Sequence, residues 1–206
     1  PETPMQQIIT VADWLTSGMD RDVFDGAESR DIAVRDYKKT RLLPLMEQLK
    51  KQDMDEKGKF SYAYPLRPLS PESIFPGKSE TGGKTDAKAE YRTLFEGFMR
   101  DLELLRHREE NVKLWFEHFE SLLMVYASSI PAARVGNVVP DVSLYDHSRL
   151  TAAFAAALYL YHRETDSFEV GRIKNKTDRK FLLINGNFFG IQNFIFTGYG
   201  DSRKYR

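Results

Sequence analysis

Two apolar stripes in the middle of the chain limit its fold more than any other feature. Tyr91, Leu94, Phe95, Phe98, Leu102 and Leu105 keep a three-to-four spacing, and Val112, Trp115, Phe116, Phe119, Leu122, Leu123 and Tyr126 keep the same one. That period puts each set on one face of an α-helix and excludes a strand, in which every second residue shares a face. The polar stretch 106–111 is either the turn of a helical hairpin or the exposed middle of one long helix. Both stripes are broad enough to need a packing partner, which favours the hairpin and places the aromatic faces in a core rather than on a base-stacking platform.

The flanking sequence extends the helical pattern. Thr3 can cap a first helix with Pro4 at its first position and Gly18 at its end, and Met5, Ile8, Ile9, Ala12 and Leu15 form its buried stripe. Asp13 sits at the edge of that stripe. Residues 19–36 read as a surface loop; Asp20, Asp22 and Asp25-Gly26 do not make a calcium loop, because Phe24 fills a ligand position and no Glu closes it. A short helix is expected over 41–51 and an edge strand over 60–66, held to an edge by Pro65, Pro68, Pro71 and Pro76. Residues 77–84 have the composition of a flexible loop. Ser143 with Asp146 makes a capping box for a further helix with Leu150, Phe154, Leu158 and Tyr161 as its stripe and His147 on the same side. Beyond Arg163 the character changes: 168–170 and 181–184 read as strands around a charged turn, and Gly186 and Gly190 bracket a tight turn. So few strands do not make a stable sheet alone. The expected class is therefore α+β, mostly α, with a helical region over 1–165 and the beginning of a second domain over 166–206.

Composition narrows the chemistry. The 206 residues include no cysteine, which excludes a disulfide framework, a thiolate metal site and a cysteine nucleophile, and fits a reducing cytoplasm. Thirty Lys+Arg balance thirty Asp+Glu, so bulk electrostatics alone would not hold a nucleic acid. No apolar run has the roughly 18–20 residues of a membrane helix and no signal peptide opens the chain. Pro at position 1 suggests that the chain starts inside a longer protein. His107, His118 and His162 fall on charged helix faces or helix ends and are assigned no chemistry; Asp146 is read as a cap; the basic Arg203, Lys204 and Arg206 are read as a charged end. The Asn175-Lys176-Thr177 sequon has no secretory context.

Pro140 to Tyr161 (PDVSLYDHSRLTAAFAAALYLY) and Phe181 to Phe196 (FLLINGNFFGIQNFIF) resemble the large signature subunit of type III-A CRISPR effector complexes. Ala12 to Gly18 (ADWLTSG) and Tyr64 to Pro76 (YPLRPLSPESIFP) fit the same family in the same order. The resemblance implies a multidomain protein with a circularly permuted HD-type phosphohydrolase domain that cleaves single-stranded DNA with divalent metal (Mn, Ni or Mg). It also implies two palm domains that join ATP into cyclic oligoadenylates when target RNA is bound. Implied partners are the crRNA-containing effector subunits, target RNA and single-stranded DNA, in the cytoplasm and with no membrane.

Carried onto this sequence, Asp13 matches the last metal-binding Asp of an HD domain and His147 its first His, displaced by the permutation. For each residue a structural alternative stands: Asp13 as a solvated helix carboxylate, His147 as a helix histidine bonded to a backbone carbonyl. Residues 181–192 match the entry of the first palm, with Asn187 and Gln192 as candidate nucleotide contacts. The family commonly has Asp at the position of Asn187, so a direct metal role there loses its charge. The adjacent His-Asp pair of an HD site and the GGDD motif of the second palm are both absent from the 206 residues. One His and one Asp are too few ligands for a tight divalent site. The chain alone is thus expected to bind no cofactor and to be inactive, a piece of an enzyme. The competing readings are a scaffold with a decayed HD site and an unrelated helical interaction module.

Overall fold

A computed structural model of the chain describes residues 3–20, 40–46, 61–78, 87–133 and 138–186. The element order is α1 (Pro4–Asp20), β1 (Tyr62–Ala63), β2 (Gly77–Lys78), α2 (Ala87–Glu103), α3 (Val112–Ala127), α4 (Leu144–Glu164) and α5 (Val170–Ile173). The described residues are mostly helical with one two-stranded antiparallel sheet, in which Tyr62 faces Lys78 and Ala63 faces Gly77. The α+β, mostly α class is therefore observed. No helix among the described residues is long and apolar enough to cross a membrane.

The principal core lies where α1 runs along α4. Ile8 and Ala12 of α1, Phe154 and Leu158 of α4 and Ile173 of α5 are buried together. Each large aliphatic removed from water there contributes roughly 1.5–3 kcal/mol. Both helices begin as the sequence indicates. The Thr3 hydroxyl accepts from the Gln6 amide at 3.3 Å while the Gln6 side chain accepts from the Thr3 amide at 3.0 Å, a reciprocal cap. The Ser143 hydroxyl accepts from the Asp146 amide at 3.0 Å and donates to the Asp146 carboxylate at 2.7 Å. The cap is thus made, although the carboxylate is bonded to the Ser143 hydroxyl.

A second, smaller core gathers Leu43, Ala63 and Val139. Here residues 41–44 run extended, with the Leu43 amide donating to the Pro140 carbonyl and the Tyr64 amide to the Leu42 carbonyl, both at 2.9 Å. The helix expected from residue 41 is helical only at 45–46 within the described part, because Pro44 disfavours the α region for the residue before it. The segment 61–78 then crosses the end of α3, where the Leu69 amide donates to the Val125 carbonyl at 2.7 Å and the Ser129 hydroxyl to the Arg67 carbonyl at 2.9 Å. Gly77, read as the start of a flexible loop, is instead paired in β2.

α2 and α3 form the hairpin, with residues 104–111 as its turn. Gly97 allows the close approach: a Cβ there would meet the Tyr126 ring at 3.0 Å. The Tyr126 ring lies edge-on to Phe98, and its hydroxyl donates to Asp101 at 2.5 Å. The expectation that the stripes are core holds only in part. Leu94 and Tyr126 are buried, but Phe95 is 62% and Phe116 55% exposed. Trp115, Phe119, Leu122 and Leu123 are half-buried, so each broad stripe is covered only in part among the described residues.

Three further expectations are corrected. On α1, Met5 and Ile9 are exposed while Gln7 and Thr16 are buried, so the buried strip is rotated towards Ile8, Ala12 and Thr16, and the helix continues two residues past Gly18. Residues 168–169 are not a strand, and Val170 opens α5, because Ile173 is drawn wholly into the α1–α4 core. A short apolar run does not by itself distinguish a strand from a buried helical turn. Residues 181–184 have no strand partner among the described residues and stand exposed.

Candidate functional site

Asp13 and His147 are 134 positions apart in the chain, and the packing of α1 on α4 brings them together. His147 Nε2 lies 3.0 Å from Asp13 Oδ1. Ile8 and Ala12 lock the buried face of α1, so Asp13, one residue past Ala12, emerges at the edge of the contact. His147 stands in the first turn of α4, set by the Ser143 cap. The imidazole side is largely covered, with 15% of its surface exposed, while the carboxylate side is 51% exposed. The pair is therefore fixed from within and open from without.

The separation has chemical meaning. Two ligands on one edge of an octahedral ion, with bonds of about 2.0–2.1 Å, stand about 3 Å apart. Imidazole and carboxylate are also a donor set suited to Mn, Ni or Zn class ions. Asp13 and His147 therefore fit two adjacent positions on a divalent ion. Among the described residues no group of three or more His, Cys, Asp or Glu is placed to hold a metal. Two donors are fewer than a divalent coordination shell requires.

One turn further along both helices a second pair meets. Thr151 donates its hydroxyl to that of Thr16 at 3.2 Å, and the wholly buried Thr16 donates to the Ala12 carbonyl at 3.0 Å. Sequence reasoning passed over Thr16, although its i+3 relation to Asp13 put it on a neighbouring face. Beside the dyad runs an open groove flanked by Met5 and Ile9 of α1 and by Ala152, Ala156 and Tyr159 of α4. Ala155, between the two alanines in the chain, packs on the core.

The other sequence candidates fall differently. Asn187 and Gln192 lie outside the described residues, as does the Gly190 turn. Asp146 is occupied by its cap. His162 lies in the last turn of α4, one of the helix ends expected for it, and is wholly buried there. Its Nδ1–H donates to the Ser167 carbonyl at 2.7 Å, and its buried Nε2 has no hydrogen-bond partner among the described residues. Burial pushes its pKa below the ordinary histidine value. Close by, Lys180 donates its ammonium to the Arg172 and Ile173 carbonyls, both at 2.7 Å, and burial lowers its pKa too. These two residues lock the end of α4 to α5 and do not face the dyad's groove.

Comparison with known proteins bears on the whole chain. No family model matches it. It is 28% identical, over 92% of its own length and 25% of the relative's, to a protein of Methanocaldococcus jannaschii named CRISPR system single-strand-specific deoxyribonuclease Cas10/Csm1 (subtype III-A). A protein of the same name from Enterococcus italicus is 29% identical over 94% of this chain and 26% of its own length. Another, from Thermococcus onnurineus, is 30% identical over 57% of this chain and 14% of its own. The chain thus spans about a quarter of the length of the curated relatives that it matches almost end to end. Together these relatives support the chain as a fragment of a type III-A CRISPR large subunit.

Proposed function

We propose that this chain is the part of a type III-A CRISPR large subunit that carries one side of a divalent-metal site for cleaving single-stranded DNA. Residues 1–165 belong to the permuted HD-type region, and the palm expected over 166–206 begins only after α5, whose Ile173 closes the α1–α4 core. The observation that carries the reading is the 3.0 Å approach of His147 to Asp13 across two helices far apart in sequence. The relatives' printed name, a single-strand-specific deoxyribonuclease, agrees with it.

In this reading Asp13 and His147 are two ligands, and the adjacent His-Asp pair that this sequence lacks comes from elsewhere in the intact protein. When bound, a divalent ion (Mn, Ni or Mg) lowers the pKa of its water and clamps the scissile phosphate. The chain's own residues position that chemistry. Buried contacts of α1 and α4 hold the imidazole and carboxylate on a common edge. Asp13 keeps its open side towards the groove, where a DNA strand could approach. The palm reading brings further expectations: ATP as the substrate of cyclic oligoadenylate synthesis, and Asn187 and Gln192 near the nucleotide. Target RNA, crRNA-holding subunits and a cytoplasmic location complete the picture.

One observation favours the scaffold alternative. No third ligand accompanies the dyad among the described residues, and Asp13 and His147 are hydrogen-bonded to each other. The experiment that separates the readings is manganese-dependent cleavage of single-stranded DNA. The 206-residue chain alone should show none. In the intact protein, Asp13→Ala and His147→Ala should each lower the rate by at least about 100-fold, as loss of a direct ligand exceeds the 10–100-fold typical of its supporting partners. No manganese-dependent cleavage by the unsubstituted intact protein would leave the scaffold reading, and unchanged cleavage in both variants would overturn the ligand roles of Asp13 and His147.

A further inference from the structure

We infer that the basic turn 172–179, at the exit of α5, is a contact surface for the phosphate backbone of single-stranded nucleic acid. The chain is neutral overall, but charge is not evenly spread. Residues 172–180 hold Arg172, Lys174, Lys176, Arg179 and Lys180 against a single acid, Asp178. Five of the thirty cations and one of the thirty anions therefore sit in this turn, and the rest of the chain is net acidic. A neutral protein can hold a polyanion only through such a local concentration.

The structure sorts these charges. Lys180 is buried on the carbonyls of Arg172 and Ile173 and is not available. Arg172, Lys174, Lys176 and Arg179 are all exposed. Some cations elsewhere are paired, as in Arg41–Glu90, Arg100–Asp101, Arg149–Glu120 and Arg163–Glu164, and others, such as Arg92, Arg106 and Lys113, are spread along the hairpin. Among the described residues, only in the turn do four exposed cations fall within eight residues beside a single acid. None of the four exposed cations of the turn forms an ion pair with a described residue. Ordinary solvated surfaces intersperse both signs, whereas a single-sign field attracts an opposite partner.

The turn is also held in shape before any partner arrives. Asn175 accepts from the Thr177 amide at 2.9 Å and from its hydroxyl at 2.8 Å, and donates to Asp178 at 3.0 Å, so the one acid is engaged inside the turn. Lys180 anchors the end of the loop from below. A surface ordered in advance loses less entropy on binding. The next residue along the chain is the part-exposed aromatic Phe181, whose ring lies 5.1 Å from that of Phe154. Cations tracking a backbone beside an aromatic on which a base can stack is the arrangement that suits a single strand. α5, with four residues, is too short to enter a duplex groove as a recognition helix.

This inference does not depend on the metal-site reading, and the test keeps the two apart. Binding of a fluorescein-labelled 20-nucleotide oligo-dT to the full 206-residue chain is followed by anisotropy at rising NaCl, with EDTA present. Four phosphate contacts predict a log–log salt slope of about −3, and K174A/K176A/R179A should reduce it to about −1. The control R92A/R106A/K113A, which removes the same charge from the α2–α3 hairpin, should leave the slope unchanged, as should Asp13→Ala. Absence of binding at low salt, or an equal loss in the control, overturns the inference. Displacement of the oligonucleotide by polyglutamate at matched charge overturns it too, and assigns the turn to an acidic protein partner. Circular dichroism of each variant checks that the fold is retained.

Discussion

The α1–α4 pair and the α2–α3 hairpin show the same helical periodicity, and they differ in what happens to it. On α1 and α4 the stripe meets its complement: Ile8, Ala12, Phe154 and Leu158 interlock, and Ile173 of α5 closes the end. On the hairpin the stripe is covered only in part by the described residues, and Phe95 and Phe116 remain more than half exposed. Amphipathicity thus states which side of a helix needs cover without stating what provides it. The difference also bears on function. The covered pair holds two side chains 134 positions apart at 3.0 Å, while the bond across the hairpin ties Asp101 and Tyr126, near neighbours on adjacent helices.

The comparison is broken most directly by cavity mutations. Leu158→Ala should destabilise the chain by about 3 kcal/mol, since the side chain is fully buried and its removal leaves a cavity. Phe116→Ala removes a larger side chain yet should cost under about 1 kcal/mol. Urea unfolding measures both, and equal losses would mean that the hairpin is as well packed as the helix pair.

A pH titration of stability sharpens the comparison at the end of α4. Burial holds the His162 imidazole below its ordinary pKa. The unfolded chain then binds the proton first as pH falls, so the stability His162 contributes is fully present above about pH 6.5 and is lost progressively below it. The charged groups facing it, Lys180, Asp178 and Arg172, come from the segment that packs on α4. His162→Gln should flatten the stability profile between neutral pH and pH 5. A profile identical to that of the unsubstituted chain would show that the histidine is hydrated.

The smallest effect is expected on the hairpin. Gly97→Ala gains up to about 1 kcal/mol of helix propensity. The new methyl meets the Tyr126 ring at 3.0 Å and must push it from Asp101. The two should nearly cancel, with a midpoint shift of only a few degrees. A clear stabilisation would show that the hairpin is loose enough to absorb the methyl.

Much of the local structure was legible in the residues themselves. Thr3-Pro4 and Ser143 with Asp146 marked helix starts because orphan amides need nearby oxygen acceptors, and the aromatic spacing marked a hairpin. Asp13 and His147 were named as a pair only through the family resemblance; neither composition nor spacing links positions 13 and 147. The helix-end position of His162 is legible in the sequence, but its burial is not, because it depends on the segment 165–180 folding back over it. The strands expected at 168–170 and 181–184 failed for a related reason: β-structure needs a partner, and a run of apolar letters does not say whether one is present.

The sequence by itself determined where helices begin, which of their sides are apolar, the absence of thiol chemistry and the basic character of the 172–180 turn. These follow from forces acting within a few residues: capping, periodicity and charge. Only the tertiary structure decided that α1 lies along α4, that His147 Nε2 stands 3.0 Å from Asp13, that Lys180 turns inward while its basic neighbours remain exposed, and that the hairpin keeps an uncovered side. Those outcomes depend on which distant surfaces fit together, and packing between remote segments leaves no signal in the spacing of either one.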